Sequence, residues 1–416
     1  MSPRTSANPT AFDFDAPPPL RGTGSCKWDA PRGEGVLPLW IADMDFAAAP
    51  PILDALRRRV DLGVFGYPLE PPGWRPALCG WYARRHGWNI DPASVLPSTS
   101  LMPLLGAVVR AFCAPGDAVA LLFPAYNGFF PEIRRQGVEP LCVPLRPVPP
   151  RPGATGDFSA EIDFSALDRA LAAPRTKLFL LCNPHNPCGR AWTRDELERV
   201  ASICRARGVP VASDEIHADL QMPGSRHVPF ATVAPDAAAV LLSASKAFNL
   251  AGLQNAALVC PDPALRARLA ADLEARGAAE PGPLGFAAAE AAWREGAPWL
   301  DALLRHLHGN FLALASFLRE RLPALRLAAL EATCLAWMDA TAAPAAASGS
   351  AALARRLERE ARVKLSPGSV YGEAPGTAHL RLNLATSRAR LLEALDRIAP
   401  ILGPAPDNPQ PKGPQP

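Results

Sequence analysis

The stretch Ser-Ala-Ser-Lys-Ala-Phe-Asn-Leu-Ala-Gly-Leu, residues 243–253, directly follows the apolar run Ala-Val-Leu-Leu at 239–242. Its lysine, Lys246, is one of only five in 416 residues. A lysine at the end of a buried strand loses hydration, which lowers its pKa and leaves the free amine available as a nucleophile and base. The position predicts an amine that condenses with an aldehyde cofactor. Taken alone, the motif fits an exposed lysine after an edge strand equally well, so the rest of the chain must distinguish the two.

Three further short apolar runs precede this one, and each ends in polar residues. They span residues 118–123, 177–182 and 209–213. The last two of them and the run before Lys246 lie about 30 residues apart, which is the length of a β-α-β unit. In an open parallel sheet, ligands bind beyond the carboxyl ends of the strands. The spacing therefore predicts an α/β fold in which four strand ends converge on one cleft.

The polar residues at these strand ends suit pyridoxal 5'-phosphate (PLP). A carboxylate such as that of Asp214 keeps the pyridine nitrogen of PLP protonated, which makes the ring an electron sink. The Asn186 amide can hydrogen-bond the ring hydroxyl, and Tyr126 can stack on the ring face. Hydroxyls and free backbone N–H groups at a helix start bind phosphate; they come from the segment 97–102, Ser243 and Ser245. Singly, these residues fit a turn, a helix cap or the core, but jointly and in this order they favour PLP.

Several motifs resemble those of a known family. Asn-Pro-His-Asn-Pro-Cys-Gly (183–189), Ser-Asp-Glu-Ile-His (213–217) and the lysine stretch resemble the fold-type I, class I/II aminotransferases. Trp-Ile-Ala-Asp-Met-Asp-Phe (40–46) and Gly-Val-Phe-Gly-Tyr (63–67) narrow the resemblance to the MalY/PatB branch of cystathionine β-lyase-like enzymes. The similarity extends from about residue 37 to about residue 400, which is nearly the whole chain.

The resemblance implies an α/β fold, that of a fold-type I PLP-dependent transferase. Such a fold has a large domain with a mostly parallel seven-stranded sheet and a smaller α+β C-terminal domain. We therefore predict an N-terminal segment at 1–46, the large PLP-binding domain at 47–288, the small domain at 289–402 and a disordered, proline-rich tail at 403–416.

The resemblance also implies roles for individual residues. Lys246 would bind the cofactor aldehyde covalently, and Asp214 would hold the pyridine nitrogen. Arg381, in His-Leu-Arg-Leu-Asn (379–383), would clamp the substrate α-carboxylate beside Ala42, in the bidentate manner that a guanidinium favours. Tyr67 would reach the phosphate from the neighbouring subunit, which implies a homodimer with shared active sites. The remaining cofactor contacts would come from Ser100, Leu101, Tyr126, Asn186, Ser243 and Ser245.

Three positions depart from the usual aminotransferase pattern, and one of them is Gly128, which replaces the proline expected after Tyr126 and Asn127. His217 stands three residues after Asp214, where many aminotransferases of this fold carry tyrosine. On residue type alone, His217 fits a half-buried histidine and a cofactor-adjacent one equally, and the resemblance favours the second. Gln254 stands where many aminotransferases have a phosphate-binding arginine, so we expect neutral donors to hold more of the phosphate.

The composition fits a globular enzyme. With 49% hydrophobic and 20% charged residues the chain can build a large core, and a net charge of +3 is too balanced for a nucleic-acid surface. Nine cysteines without a Cys-x-x-Cys pair indicate neither a disulfide framework nor a zinc ribbon. Cys182, His185 and Cys188 are close in sequence, but the two cysteines are expected to pack at a strand end rather than bind a metal with the histidine. In the absence of an apolar span or signal-peptide pattern, we predict a cytoplasmic protein with no membrane partner. The resemblance implies that it acts on small amino acids.

Two reactions could use this machinery. If Cβ of the substrate carries a thiolate, its expulsion makes the protein a C–S β-lyase that cleaves cystathionine or related cysteine S-conjugates to a thiol, pyruvate and ammonia. The resemblance favours this reaction. If the proton instead returns to the aldehyde carbon of the cofactor, the protein is an aminotransferase. A third alternative is a regulatory protein-binding partner on the same fold, because some members of this branch repress a transcriptional activator, although no helix-turn-helix pattern precedes the core.

Overall fold

The computed structural model describes residues 12–31, 33–236 and 239–403. The predicted tail beyond Gly403 and the first eleven residues of the N-terminal segment lie outside the described residues. The strands are β1 Leu37–Pro38, β2 Val95–Ser98, β3 Ala118–Phe123, β4 Glu139–Val148, β5 Ser159–Ile162, β6 Thr176–Cys182, β7 Val211–Asp214, β8 Ala239–Leu242, β9 Ala256–Val259, β10 Arg326–Leu327, β11 Leu335–Asp339, β12 Val363–Lys364, β13 Ser366–Pro367 and β14 His379–Asn383. The α-helices are α1 Cys26–Asp29, α2 Pro50–Asp61, α3 Trp74–His86, α4 Leu101–Phe112, α5 Phe129–Arg135, α6 Phe164–Leu171, α7 Arg194–Arg207, α8 Pro263–Ala275, α9 Pro283–Glu295, α10 Ala297–Arg321, α11 Ser350–Arg356 and α12 Arg388–Leu402.

Eight strands form the central sheet, in the order β2-β9-β8-β7-β6-β3-β4-β5. Strands β8, β7, β6, β3 and β4 are mutually parallel, whereas β9 and β5 run antiparallel to their neighbours. The predicted mostly parallel sheet is confirmed, but it has eight strands rather than the predicted seven. The additional strand arises because β4 is 10 residues long, so that its end, residues 145–148, extends beyond β3 and pairs with β5.

Side chains of the central strands alternate between two apolar layers. In β6, Leu178 and Leu180 pack in a cluster that includes residues of α4, α5 and α8. Phe179 and Leu181 pack on the opposite face with residues of α6 and α7. Because helices cover both faces, the strands need no polar side, and this explains the continuous apolar runs in the sequence. The ends of the strands are then the places where polar side chains can gather.

Helix α7 begins with a capping box formed by Thr193 and Glu196. The Thr193 hydroxyl accepts the Glu196 N–H at 3.2 Å, and the Glu196 carboxylate accepts the Thr193 N–H at 2.7 Å. These reciprocal bonds satisfy two backbone donors that a helix start leaves free. They fix the beginning of α7 soon after the polar segment 183–189.

A second, antiparallel sheet lies in the C-terminal part of the chain. Its four strands have the order β10-β11-β14-β13, and β14 carries Arg381. Helix α10, the longest of the helices given above, precedes this sheet and contacts α12. Strand β1 pairs in parallel with β12, so the N-terminal segment is joined to this part of the molecule.

The predicted domain boundaries, after residues 46, 288 and 402, stay predictions. Among the residues that the structure describes, no helix is both long and apolar enough to cross a membrane.

Candidate active site

The carboxyl ends of β3, β6, β7 and β8 open into one cavity of about 540 Å³, as the spacing of the apolar runs predicts. Of the twelve residues predicted for the site, all except Tyr67 line this cavity. They are Ala42, Ser100, Leu101, Tyr126, Asn186, Asp214, His217, Ser243, Ser245, Lys246 and Arg381. Residues separated by more than 300 positions in the chain thus face one space.

Lys246 lies just beyond β8, with its side chain largely withdrawn from solvent. Its Nζ donates a hydrogen bond to the backbone oxygen of Ala42 at 3.2 Å. Burial lowers the pKa of the Lys246 amine, and the nearby Asp43 and Asp214 carboxylates only partly oppose this effect. The lowered pKa favours the neutral amine, which is the form that attacks an aldehyde or accepts a proton.

Asp214 ends β7, the strand next to β8, and its side chain is buried at the cavity wall. One carboxylate oxygen accepts the Ile216 N–H at 3.1 Å. Burial raises the pKa of Asp214 to about 7, and that hydrogen bond and Lys246 oppose the rise incompletely. A positively charged group beside such a buried carboxylate stabilises its ionised form.

Arg381 lies on β14 of the C-terminal sheet and also lines the cavity. Its Nη1 donates to Asn186 Oδ1 at 3.1 Å, and its Nη2 donates to the backbone oxygen of Trp40 at 2.9 Å. The guanidinium carbon lies 4.5 Å from the centroid of the Tyr371 ring, a cation–π arrangement. Burial lowers the pKa of Arg381, and the Tyr371 and Cys334 groups oppose that shift. Two hydrogen bonds and the Tyr371 ring fix the orientation of the buried guanidinium. Its positive charge is suited to binding an anionic ligand.

Hydroxyl groups and a helix start define another side of the cavity. Ser100 is the N-cap residue of α4 without making a side-chain capping bond, and Leu101 is the first residue of the helix. The Ser243 hydroxyl donates to the backbone oxygen of Asn255 at 2.6 Å and accepts the Ser245 N–H at 3.0 Å. Free N–H groups at the start of α4 favour an anion here.

His217 and Tyr126 also face the cavity. Burial lowers the pKa of His217 to about 3, with Lys246 and Arg381 adding to the effect, so its imidazole is neutral near pH 7. Burial raises the pKa of Tyr126, which keeps its hydroxyl protonated. A Cβ atom at Gly128 would lie 2.5 Å from Cε1 of Tyr126, so the small residue leaves room for the ring.

Tyr67 does not reach the cavity of its own chain. It lies between α2 and α3, and its side chain is fully exposed. The prediction that it serves a neighbouring subunit is compatible with this position, and it stays a prediction.

Several residues that line the cavity are not identified as site residues by any sequence motif. They are Cys182, Asn255, Lys364, Ser366 and Tyr371, and Trp40 entered only as part of a motif. The scarcity of lysine, which singles out Lys246, would also have pointed to Lys364. No sequence signal points to Tyr371, because it is brought to the cavity by the C-terminal sheet.

A buried ion pair stabilises the segment 40–46, which carries Ala42. Lys27 Nζ lies 2.9 Å from Asp45 Oδ1 and also donates to the backbone oxygen of Asp43 at 2.9 Å. Asn383 donates to the backbone oxygens of Ile41 and Asp43 at 2.7 and 2.6 Å. The buried Lys27 and the partly exposed Lys246 therefore donate to adjacent carbonyls of one segment.

Comparison with known proteins agrees with this geometry. The family model described as aminotransferase class I and II matches residues 61–398. Cystathionine β-lyase PatB of Bacillus subtilis is 38% identical over 399 residues, covering 94% of this chain and 100% of PatB. Protein MalY of Escherichia coli is 34% identical, covering 91% of this chain and 96% of MalY. The crystal structure of cystalysin from Treponema denticola, which contains pyridoxal 5'-phosphate, matches with a TM-score of 0.86 and 28% identity, covering 94% of this chain and 99% of cystalysin.

These relatives confirm the predicted resemblance to the MalY/PatB branch, and they match this chain over nearly its full length and theirs. With a family model that covers most of the sequence and a cavity built from its motif residues, the chain belongs to the aminotransferase class I and II family.

Proposed function

We propose that this protein is a PLP-dependent C–S β-lyase that cleaves cystathionine or related cysteine S-conjugates to a thiol, pyruvate and ammonia. The observation that carries the proposal is the placement of Lys246 and Asp214 at the ends of neighbouring parallel strands, facing one cavity with Arg381. The names of relatives support it, since PatB is a cystathionine β-lyase and a PLP-bound C-S lyase of Staphylococcus hominis matches with a TM-score of 0.84 at 27% identity.

The chemistry of the cavity wall fits PLP. Within the described residues, buried polar atoms without a hydrogen-bond partner include His217 Nδ1, Arg381 Nε and both side-chain polar atoms of Asn255, and all three residues line the cavity. The buried Asp214 carboxylate, with its pKa raised to about 7, would be stabilised as an anion by a protonated ring nitrogen. Unsatisfied buried polar groups are rare and indicate a ligand that completes them.

Each part of the cofactor would then meet suitable groups of this chain. The Lys246 amine would hold the aldehyde carbon, Asp214 the ring nitrogen, Asn186 the ring hydroxyl and Tyr126 a face of the ring. His217 would lie beside the ring as a neutral imidazole. The phosphate would be held by Ser100, the N–H of Leu101, Ser243 and Ser245.

Arg381 and Lys246 would act on the substrate. The two Nη atoms of Arg381 would bind the α-carboxylate, next to the backbone of Ala42. The Lys246 amine, once free, would accept the proton from Cα, and its lowered pKa favours the unprotonated form that this step requires. When bound, PLP supplies an electron sink that stabilises the negative charge left on Cα.

Loss of the sulfur group completes the reaction. The electron pair at Cα forms a double bond to Cβ as the C–S bond breaks, and the sulfur leaves as a thiolate. The protonated Lys246 amine is positioned to return its proton to the leaving thiolate. One water molecule is consumed in the later release of pyruvate and ammonia, so atoms and charge balance.

An aminotransferase is the second candidate, because the matched family model carries that description and the Lys246 and Arg381 steps are the same. The two reactions differ in their need for an acceptor. Purified protein with L-cystathionine is expected to form pyruvate without any added 2-oxo acid. A strict requirement for a 2-oxo acid would refute the lyase proposal.

Lysine substitutions provide the matched control. Lys246→Ala is expected to abolish pyruvate formation and the visible absorbance of the bound cofactor. Lys177→Ala, which removes an exposed lysine at the far end of β6, is expected to change neither. Retained activity in Lys246→Ala would contradict the assigned role.

The chain is further proposed to form a homodimer with shared active sites. The segment that carries Tyr67 exposes an unusual run of large apolar side chains, Val64, Phe65 and Leu69, and a second copy would cover them. Tyr67→Ala is expected to weaken retention of PLP during dialysis while the protein remains dimeric in sedimentation experiments. A monomeric wild-type protein with full activity would contradict this arrangement.

A further inference from the structure

The cavity contains a third cation that the proposed reaction leaves unused. Among the described residues that line it, the cationic side chains are Lys246, Arg381 and Lys364, and the only anionic one is Asp214. Lys246 and Asp214 serve the cofactor in the proposed function, and Arg381 serves the α-carboxylate. Lys364 is therefore available for a different negative group.

Lys364 belongs to the wall that carries Arg381. Its ammonium nitrogen lies 5.1 Å from the centroid of the Trp40 ring, and the backbone oxygen of Trp40 accepts a hydrogen bond from Arg381. Two residues after Lys364, Ser366 pairs with Arg381 across β13 and β14. The third cation thus lies on the substrate side of the cavity, whereas Lys246 and Asp214 lie at the end of the large sheet.

The Lys364 ammonium already has one partial partner. Glu358 lies 3.1 and 3.3 Å from Nζ through its two oxygens, and both side chains are 25% exposed. Glu358 follows α11 in a π-helical turn, Leu357–Ala361. An ammonium group has three donors, so this contact and the Trp40 ring leave capacity for a ligand carboxylate. Glu358 opposes such a ligand by repulsion and competes with it for the cation.

On the basis of the proposed lyase function, we propose that Lys364 binds a carboxylate at the far end of the substrate's S-substituent. The preferred substrates are then cysteine S-conjugates whose thiol portion ends in a carboxylate. Arg381 binds the carboxylate next to Cα, and Lys364 binds the one beyond the sulfur. Glu358 sets the strength of the preference, because it partly neutralises Lys364.

Two substrates of equal length test this specificity. S-(2-carboxyethyl)-L-cysteine ends in a carboxylate, and S-propyl-L-cysteine replaces that group by a methyl group. The measured quantity is the preference, defined as kcat/KM for the first substrate divided by kcat/KM for the second. A partly exposed ion pair predicts that Lys364→Met lowers this preference about three- to tenfold.

Charge substitutions should move the preference in opposite directions. Glu358→Gln is expected to raise the preference, because it removes the competing carboxylate, and Lys364→Arg is expected to preserve it. Lys177→Met, at an exposed lysine far from the cavity, serves as the control for a general charge effect. Added salt should reduce the wild-type preference, since a partly exposed ion pair is screened.

A binding measurement makes this proposal independent of turnover. Calorimetry on the holoenzyme compares pimelate, whose two carboxylates are as far apart along the chain as those of the carboxyethyl substrate, with hexanoate, which has one carboxylate. The wild-type protein should favour pimelate, and Lys364→Met should remove that advantage. An advantage for pimelate or for the carboxyethyl substrate that Lys364→Met leaves within twofold overturns the proposal. If the wild-type protein cleaves neither conjugate nor L-cystathionine, the lyase proposal fails, whereas the pimelate comparison still decides the role of Lys364.

Discussion

Asp214→Asn is expected to stabilise the cofactor-free protein at alkaline pH while weakening its hold on PLP. In the folded chain, the Asp214 carboxyl is buried beside the cavity and has a pKa raised to about 7, chiefly by burial. A carboxyl whose pKa is raised in the folded state destabilises the fold at every pH at which the same carboxyl ionises in the unfolded chain. Its penalty is absent below its ordinary pKa of 3.8, grows as the pH rises, and is complete above pH 7. The amide of asparagine does not ionise and can still accept the Ile216 N–H.

The magnitude follows from the size of the pKa shift. A rise from 3.8 to about 7 lowers the unfolding free energy by about 4 kcal/mol at pH 8 and by roughly 1 to 2 kcal/mol at pH 5. An additional buried amide N–H without a partner offsets about 1 kcal/mol at either pH. Asp214→Asn should therefore exceed the wild-type protein in stability by about 3 kcal/mol at pH 8 and by well under 1 kcal/mol at pH 5.

Urea unfolding of cofactor-free wild-type and variant proteins at the two pH values measures this difference. The increase in this stability difference from pH 5 to pH 8, roughly 2 to 3 kcal/mol, is the diagnostic quantity, because the amide offset does not depend on pH. Glu215→Gln is the matched control. Glu215 is the adjacent residue, but its carboxylate already accepts several hydrogen bonds, so this substitution should destabilise the folded protein. A difference between wild type and Asp214→Asn that is the same at both pH values would refute the reasoning.

Two further predictions concern the scaffold around the site. Lys27→Met should lower the unfolding free energy by about 3 kcal/mol, because it leaves the buried Asp45 carboxylate without its main cation, and adding Asp45→Asn should recover part of the loss in chemical denaturation. Thr193→Ala should cost about 1 kcal/mol in the same measurement by removing the capping box of α7, whereas Thr193→Ser should retain most of the stability. An unchanged denaturation midpoint in Lys27→Met or Thr193→Ala would contradict the corresponding contact.

Most of the cavity can be predicted from the sequence, because ligands of an open parallel sheet bind at the carboxyl ends of its strands. Buried strands in a sheet covered on both faces are continuous apolar runs, so they can be found without an alignment. Their carboxyl ends must lie at one edge if the strands are parallel, and this rule brings Asn186, Asp214 and Lys246 together. The resemblance then adds Arg381, which lies in a different sheet and which strand spacing alone could not place.

The residues that the sequence does not predict are those brought in by contacts between distant segments. Tyr371 stacks on Arg381, and Lys364 lies over Trp40, more than 320 positions away in the chain. Such pairings depend on how the C-terminal sheet packs against the N-terminal segment. The spacing of apolar residues along a helix or a strand does not predict that packing. The eighth strand was missed for a related reason, because only the pairing between β4 and β5 reveals that β4 extends past β3.

The adjacent pair Asp214 and Glu215 shows what the structure adds to a motif. In a sequence, either carboxylate of Asp-Glu could serve the cofactor, and both are buried. Glu215 accepts hydrogen bonds from Ser213, Asn183 and the Phe230 N–H at 2.8 to 3.3 Å, and His227 Nε2 lies 2.9 Å from its other oxygen.

Asp214, by contrast, has one backbone donor and faces the cavity. Successive residues of an extended chain point to opposite sides, so one carboxylate is directed into the scaffold and the other into the site. A satisfied carboxylate stabilises the fold, whereas an unsatisfied one destabilises it until a cationic ligand arrives. Glu215 therefore stabilises this strand end whether or not the cavity is occupied. Asp214 makes the stability of the fold depend on a ligand, because a cationic ligand relieves the penalty of its buried carboxylate.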